Sequence, residues 1–329
     1  MVPFSAKEGG TIWKRAKRPH LTLCPSLPFC ARLSPLSRKI LWRVGKNGGI
    51  IPPHRPRVPF ARGGVRRREE VHLEKRERPI GVFDSGLGGI SVLRACVSLL
   101  PRENFLFFGD SANAPYGEKP LEEVRRLTVA AVDRLLAQGV KAIVVACNTA
   151  TSAAIGLLRQ AHPELPIIGI EPAVKPAAQA DNSSSVIVMA TPLTIREDKY
   201  QRLAAAFCDQ ADVISLPCKG LAEMVEQGIF DGPVLDAYLQ ELLLPFRYCN
   251  VDYIVLGCTH YPFVRQAIAR NFGRPVSIID GSDGTARQLR RQLDAAGLLT
   301  TRSGFGTVTF QNSRPDKLAM SQTLFQMKY

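Results

Sequence analysis

From Pro79 onward the chain alternates short apolar runs with longer amphipathic stretches. The runs at 80–83, 104–108, 142–146, 167–170, 186–189, 213–216, 253–256 and 276–279 are short and carry much Val and Ile. Such segments suit strands buried on both faces of a parallel sheet. The clearest helical pattern begins at Pro120, carries Glu122 and Glu123 in its first turn and stops at Gly139, the punctuation expected of a helix start and end. Residues 306–310 predict one further edge strand. Strand–helix alternation predicts an α/β fold, in which ligands bind beyond the carboxyl ends of the strands. Chemistry is therefore to be sought just after each strand.

Those strand ends are polar and patterned. The first runs into Asp84-Ser85-Gly86, the third into Cys147-Asn148-Thr149, the fifth into Ala190-Thr191-Pro192 and the seventh into Gly257-Cys258-Thr259-His260. Asp84 precedes Cys147 by 63 residues, and Thr191 precedes Cys258 by 67. The similar spacing predicts two similar parallel-sheet α/β lobes facing across a central cleft, each offering one cysteine. The first lobe is expected to take residues 79–172 plus 272–329, and the second 173–271.

Residues 1–78 break the pattern. They show no useful periodicity, are rich in Arg, Pro and Gly, and hold 19 Lys and Arg against 5 Asp and Glu. The net charge of +14 is therefore theirs alone, since the rest of the chain carries 24 basic and 24 acidic side chains. A disordered basic extension is expected, either a targeting, regulatory or surface-binding arm or a stretch included by a mis-assigned start. After Met1 the next methionine is Met189, so a later start would use a non-Met codon, with Val71 or Val65 as candidates. The neutral remainder argues against nucleic acid as a partner, because phosphate recognition would rest on the arm alone. The most apolar stretch, 142–158, is interrupted by Cys147, Asn148, Thr149, Thr151 and Ser152, so no membrane span is expected. Eight scattered cysteines without a CxxC pair point to free thiols in a reducing cytoplasm rather than to disulfides or structural zinc.

A thiol at the start of a helix has its thiolate favoured by backbone N–H groups and the helix dipole. A neighbouring His or Asp can then move its proton; Asp84 and His260 are placed to serve Cys147 and Cys258 if both strand ends open into one cleft. Ser85, Asn148, Thr149, Thr191, Thr194 and Thr259 supply small polar groups for a carboxylate and an ammonium. Removing a proton from carbon and returning one to the opposite face needs two acid–base groups flanking a planar intermediate. Two cysteines from facing lobes suit that geometry, although periodicity does not select the reaction. Other readings compete. Gly86-Leu87-Gly88, with Asp110 24 residues beyond Gly86, resembles part of a dinucleotide-binding turn of an NAD-dependent oxidoreductase, but Ser91 holds the third glycine position and Asp84 would crowd a pyrophosphate. Cys147, Cys258 and His260 as metal ligands lack the paired spacing of structural zinc. Cys96, Cys208, Cys218 and Cys249 are expected to be inert packing, Asp110 a turn residue, and His72 and His162 surface residues.

A family resemblance narrows the choice. Gly81-Val82-Phe83-Asp84-Ser85-Gly86 followed by Gly88-Gly89, then Pro115-Tyr116-Gly117-Glu118-Lys119, Ala146-Cys147-Asn148-Thr149-Ala150 and Leu256-Gly257-Cys258-Thr259-His260, is similar in content and order to the signature segments of glutamate racemases, within the aspartate/glutamate racemase superfamily. The likeness runs from Pro79 to about Leu299, covers none of residues 1–78 and is weak after Thr300. It implies reversible interconversion of L- and D-glutamate with no cofactor, neither pyridoxal phosphate nor metal. It further implies D-glutamate supply for bacterial peptidoglycan, a cytoplasmic setting and a homodimer. Carried over by motif, Cys147 would deprotonate the D-enantiomer and Cys258 the L-enantiomer, assisted by Asp84 and His260. Glu226, 32 residues before Cys258, matches a family acidic residue near the site. Ser85, Tyr116, Gly117, Asn148, Thr149, Thr191, Thr194 and Thr259 would contact substrate. Pro192 and the run Arg196-Glu197-Asp198 before Tyr200 depart from the family pattern, which bears on the detail of that wall of the pocket and leaves the expected chemistry intact. An aspartate racemase is the alternative, because side-chain length is judged by pocket shape.

Overall fold

The computed structural model describes residues 43–44, 50–51, 74–180 and 184–327. The chain divides into two units, 1–58 and 59–329. In the first, Arg43–Val44 and Ile50–Ile51 pair as a two-stranded antiparallel ribbon. The rest of the extension expected to be disordered, through residue 73, lies outside the described residues. Its last few residues correct the expected boundary at 78. Residues 74–77 form a helical turn, Arg76 Nε donates to the Gly297 carbonyl at 2.8 Å, and Glu77 accepts from Thr300 Oγ1 at 2.8 Å and from Arg302 at 3.0 Å. Charged side chains that look like part of the basic arm are tied into the second unit.

That unit holds nine strands among its described residues: β1 (Ile80–Asp84), β2 (Phe105–Gly109), β3 (Ala142–Val145), β4 (Ile167–Gly169), β5 (Ser184–Ala190), β6 (Ala211–Pro217), β7 (Tyr253–Leu256), β8 (Ser277–Asp280) and β9 (Val308–Asn312). Each matches an apolar run of the sequence to within about two residues at either end, the usual looseness of element boundaries. The helices that matter to the site are α1 (Ile90–Leu99), α2 (Leu121–Leu136), α3 (Asn148–Ala161), α4 (Leu221–Glu226), α5 (Arg265–Phe272), α6 (Ser282–Ala295) and α7 (Leu318–Gln326). In α2 the buried residues Val124, Leu127, Thr128, Ala131, Val132 and Leu135 form one stripe, and Pro120 caps the start as the sequence implied.

Two sheets result, ordered β9-β2-β1-β3-β4 and β8-β7-β5-β6, and every pairing in both is parallel. All residues of β1, β2 and β3 are buried, as continuous apolar runs in a doubly covered sheet should be. The expected kinship of the halves appears in the topology. The order β2-β1-β3-β4 in one sheet repeats as β6-β5-β7-β8 in the other, so Asp84 and Thr191 end equivalent central strands, and Cys147 and Cys258 follow equivalent neighbours.

The same equivalence corrects the lobe boundary at 272. Strand β8 is the counterpart of β4 and pairs with β7, Ile278 opposite Ile254, so it belongs to the second lobe. Arg265 of α5 holds it there by donating to the Ile278 carbonyl at 2.9 Å and to Asp280 at 2.7 Å. The chain returns to the first lobe only with α6, which packs against α1. The C-terminal segment then adds β9 to the sheet edge beside β2, where Phe310 meets Phe107 and stands edge-on to Phe325 of α7 at 5.5 Å between centroids. Among the described residues no helix is long and apolar enough to cross a membrane.

Candidate active site

Asp84 is the last residue of β1 and is fully buried. Its Oδ2 accepts the Gly86 N–H at 2.9 Å, and its Oδ1 accepts the Thr259 hydroxyl of the other lobe at 3.0 Å. Burial raises its pKa above the ordinary carboxylate value, and the nearby His260 only partly offsets that. Cys147 sits where β3 turns into α3. It caps that helix, its sulfur accepting the Ala150 N–H at 3.4 Å while facing Ser85 Oγ at 3.3 Å. Burial first, and then the charge of Asp84, push the Cys147 thiol up to about 12, against the pull of Ser85 and Ala150. The helix start favours the thiolate, but here desolvation wins and the resting group is a neutral thiol.

Cys258 follows β7 in the second lobe and lies close enough to Cys147 for the two charges to sense one another. Its sulfur is 3.7 Å from His260 Nδ1, and His260 Nε2 is 2.7 Å from Glu226 Oε1. Burial disfavours a charged imidazole, yet the hydrogen bonds and charges of Cys258 and Glu226 outweigh it and hold the His260 pKa well above the usual value. Burial likewise disfavours the Glu226 carboxylate, but the hydrogen bond and charge of His260 leave its pKa below normal. Cys258, His260 and Glu226 thus form one hydrogen-bonded line.

Around the thiols the small polar groups converge. Thr149 of the first lobe and Thr191 and Thr194 of the second form a triangle of hydroxyls with sides of 3.0, 3.0 and 2.9 Å. Gly117 packs against Thr191 so closely that a Cβ there would come within 2.6 Å of it. Tyr116 is buried and donates to Asp110 at 2.7 Å. Asn148 is buried with neither amide atom hydrogen-bonded, the state of a group that waits for a ligand. Every site residue expected from the sequence lies in or beside this largely buried cluster. A cavity of about 180 Å³ elsewhere, lined by Leu99, Leu100, Pro101 and Arg102 among others, is remote from the thiols.

Several expectations need correction. Asp110 opens a turn as expected, its carbonyl accepting the Asn113 N–H at 3.0 Å, but its buried carboxylate also anchors Tyr116 and so supports the site. It comes directly after β2, as Ser85 comes after β1, and the strand-end rule could have found it. Cys96 and Cys218 are buried, but Cys208 and Cys249 are exposed and pack in no core. Ser91, which joins the lobes by donating to the Thr259 carbonyl at 3.0 Å, carried no signal of that role. The Gly86-Leu87-Gly88 turn is already occupied: Leu87 N–H donates to Glu226 Oε1 at 2.5 Å, and a Cβ at Gly86 would lie 2.0 Å from the same oxygen. Donors that a pyrophosphate would need serve an internal carboxylate.

Two α/β lobes of like topology each present a thiol at an equivalent strand end to one buried polar site, an arrangement suited to acid–base chemistry by paired cysteines. The family model for Asp/Glu/hydantoin racemases matches residues 80–289. The glutamate racemase of Clostridium botulinum strain Alaska E43 is 48% identical over 241 residues, 73% of this chain and 93% of the relative. Among solved structures, glutamate racemase from Thermus thermophilus in complex with β-chloro-D-alanine is 37% identical with a TM-score of 0.64, covering 77% of this chain and 94% of that one. Glutamate racemase from Francisella tularensis in complex with D-glutamate is 30% identical with a TM-score of 0.67, covering 77% and 95%. The chain belongs to the Asp/Glu/hydantoin racemase family.

Proposed function

We propose that this chain is a cofactor-independent glutamate racemase that interconverts L- and D-glutamate by proton transfer through two thiols, supplying D-glutamate for peptidoglycan. The observation that carries the reading is the pair Cys147 and Cys258, delivered from two lobes to one site, each beside its own partner group. The relatives' names and the D-glutamate complex of a neighbour support glutamate as substrate.

The different surroundings of the two thiols fit one direction of turnover. Cys147 is a neutral thiol, pushed up by burial and Asp84, while Cys258 faces an imidazole disposed to be charged. With L-glutamate bound, Cys258 as thiolate takes the α-proton and Cys147 returns its own to the opposite face. With D-glutamate the roles reverse. His260, held by Glu226, supports the charge on Cys258, and Asp84 orders the strand-end turn beside Cys147. Ser85, Tyr116, Gly117, Asn148, Thr149, Thr191, Thr194 and Thr259 hold the substrate's carboxylates and ammonium. A homodimer in the cytoplasm completes the proposal.

The test is incubation of the full chain with L-glutamate in D2O without added cofactor, followed by circular dichroism and α-proton NMR. Loss of optical activity with deuterium entering the α-carbon is expected. Turnover of aspartate but not glutamate would overturn the substrate, and optical inversion without exchange would overturn the mechanism.

A further inference from the structure

Glu226 stands at the C-terminal end of α4, where helix carbonyls lack intrahelical partners. Gly228, at φ +84°, turns the chain back so that Ile229 N–H reaches the Met224 carbonyl at 2.9 Å and Gly228 N–H reaches that of Val225 at 2.9 Å. This closing pattern satisfies two carbonyls of the last turn. The Glu226 carbonyl is left over, and Lys317 Nζ donates to it at 2.6 Å. A cation there also suits the negative end of the helix dipole.

Lys317 ends the single turn Pro315–Lys317 between β9 and α7, a place fixed by the pairing of β9 with β2. The end of β9 reaches the Glu226 carboxylate as well. Asn312 Nδ2 donates to Ser111 Oγ at 3.0 Å, and Ser111 lies near enough to the carboxylate to help lower its pKa. The first lobe's C-terminal segment thus holds the Glu226 backbone through Lys317 and reaches towards its carboxylate, whose Oε1 is 2.7 Å from His260. Asn312 and Lys317 lie outside the residues matched by the family model.

We infer that Lys317, with Ser111 and Asn312 beside it, is a positioning residue for the Cys258 half of the reaction. It fixes the backbone of Glu226, so that the carboxylate keeps His260 aligned on the Cys258 sulfur. The inference rests on the two-thiol reading above. Its consequence falls chiefly on one side, because the hydrogen-bond partners of Cys147 are Ser85 and Ala150 rather than His260 and Glu226. Loosening Glu226 slows proton transfer at Cys258 more than transfer at Cys147. The step at Cys258 then limits turnover, so the deuterium effect on α-deuterated L-glutamate rises and that on α-deuterated D-glutamate falls.

The experiment measures initial rates of the full chain with protiated and α-deuterated L- and D-glutamate, for wild type, Lys317→Met, Lys317→Arg, Glu226→Gln and the double variant Glu226→Gln/Lys317→Met. Lys317→Met is expected to lower kcat roughly tenfold, the scale of a small misplacement of a working group, with the opposed shifts in the two isotope effects. Lys317→Arg should restore most of both. The double variant should be no slower than Glu226→Gln alone, since Lys317 acts through Glu226. Unchanged rates and isotope effects in Lys317→Met, isotope effects that move together for both enantiomers, or a full Lys317 penalty persisting in the Glu226→Gln background would each overturn the inference. A wild-type chain inert towards both enantiomers would overturn the functional reading and this inference with it.

Discussion

Replacing Lys141 with Met tests whether the N-terminal ends of the first sheet are held by charge. Lys141 and Glu103 form an ion pair whose side chains are 1% and 2% exposed. Lys141 Nζ also donates to the Arg76 carbonyl, and Glu103 Oε1 accepts the Thr300 N–H at 2.8 Å. Burial lowers the Lys141 pKa, and the hydrogen bond to Glu103 opposes that shift. The pair thus joins β3, the turn before β2, residues 74–78 and the segment near 300. Met keeps most of the stem's volume, so packing changes little. What changes is that the buried Glu103 side chain loses its cation and keeps the Thr300 N–H as a donor. Stranding one member of a buried pair costs about 3–5 kcal/mol. For a domain of this size, each kcal/mol moves Tm by about 2–4 °C, so a fall on the order of 10 °C is expected. Urea unfolding at neutral pH should show a lower midpoint with an unchanged m-value. Removing both charges with Lys141→Met/Glu103→Leu should recover most of the loss, because no uncompensated charge then remains. A Lys141→Met variant within about 0.5 kcal/mol of wild type, the range of a neutral surface change, would show that the pair does not hold this junction. A double variant as unstable as the single one would assign the loss to packing.

Three further outcomes follow from the site. Cys147→Ala and Cys258→Ala should each abolish racemisation while leaving exchange or elimination from one face of a suitable substrate; full racemase activity in either would refute the two-thiol mechanism. Alkylation at pH 8, followed by mass spectrometry, should modify the exposed Cys208 and Cys249 before Cys147, which burial keeps a neutral thiol up to about 12; Cys147 reacting first would contradict that burial. Asp84→Asn should remove activity yet stabilise the fold at neutral pH, because a carboxylate whose folded pKa is raised by burial loses stability as pH rises from its unfolded value near 3.8 through the folded one. Melts of wild type and variant that stay parallel from acid to neutral pH would count against a buried ionised Asp84.

The parts of this molecule that were legible in its sequence are those where one local rule decides the structure. A strand buried on both faces must be a continuous apolar run, so β1 through β5 and β7 announce themselves, while the edge strand β6 is only partly buried. A parallel α/β sheet puts chemistry at strand ends, so Asp84, Cys147, Thr191, Cys258 and His260 could be picked out by position and residue type before any geometry was known. Glu226 breaks that rule. It closes a helix rather than a strand, and only family likeness pointed to it. Its carboxylate crosses between lobes to take the Leu87 N–H and His260 together, a contact that neither segment encodes alone. Long-range choices of this kind explain the remaining differences. Residues 74–78 share their composition with the basic arm, and what distinguishes them is a set of partners at 297–302, more than two hundred residues away. β8 reads equally well as a strand of either sheet until its counterpart β4 is known, and Arg265 decides the matter from outside the strand. Lys317 is the extreme case. An isolated lysine after a proline turn carries no signal of its own, and its place against the Glu226 carbonyl exists only because β9 closes the sheet edge beside β2. A site assembled from two similar halves thus depends on a segment that belongs to neither repeat, which is where substitutions that alter one half-reaction without touching substrate should be sought.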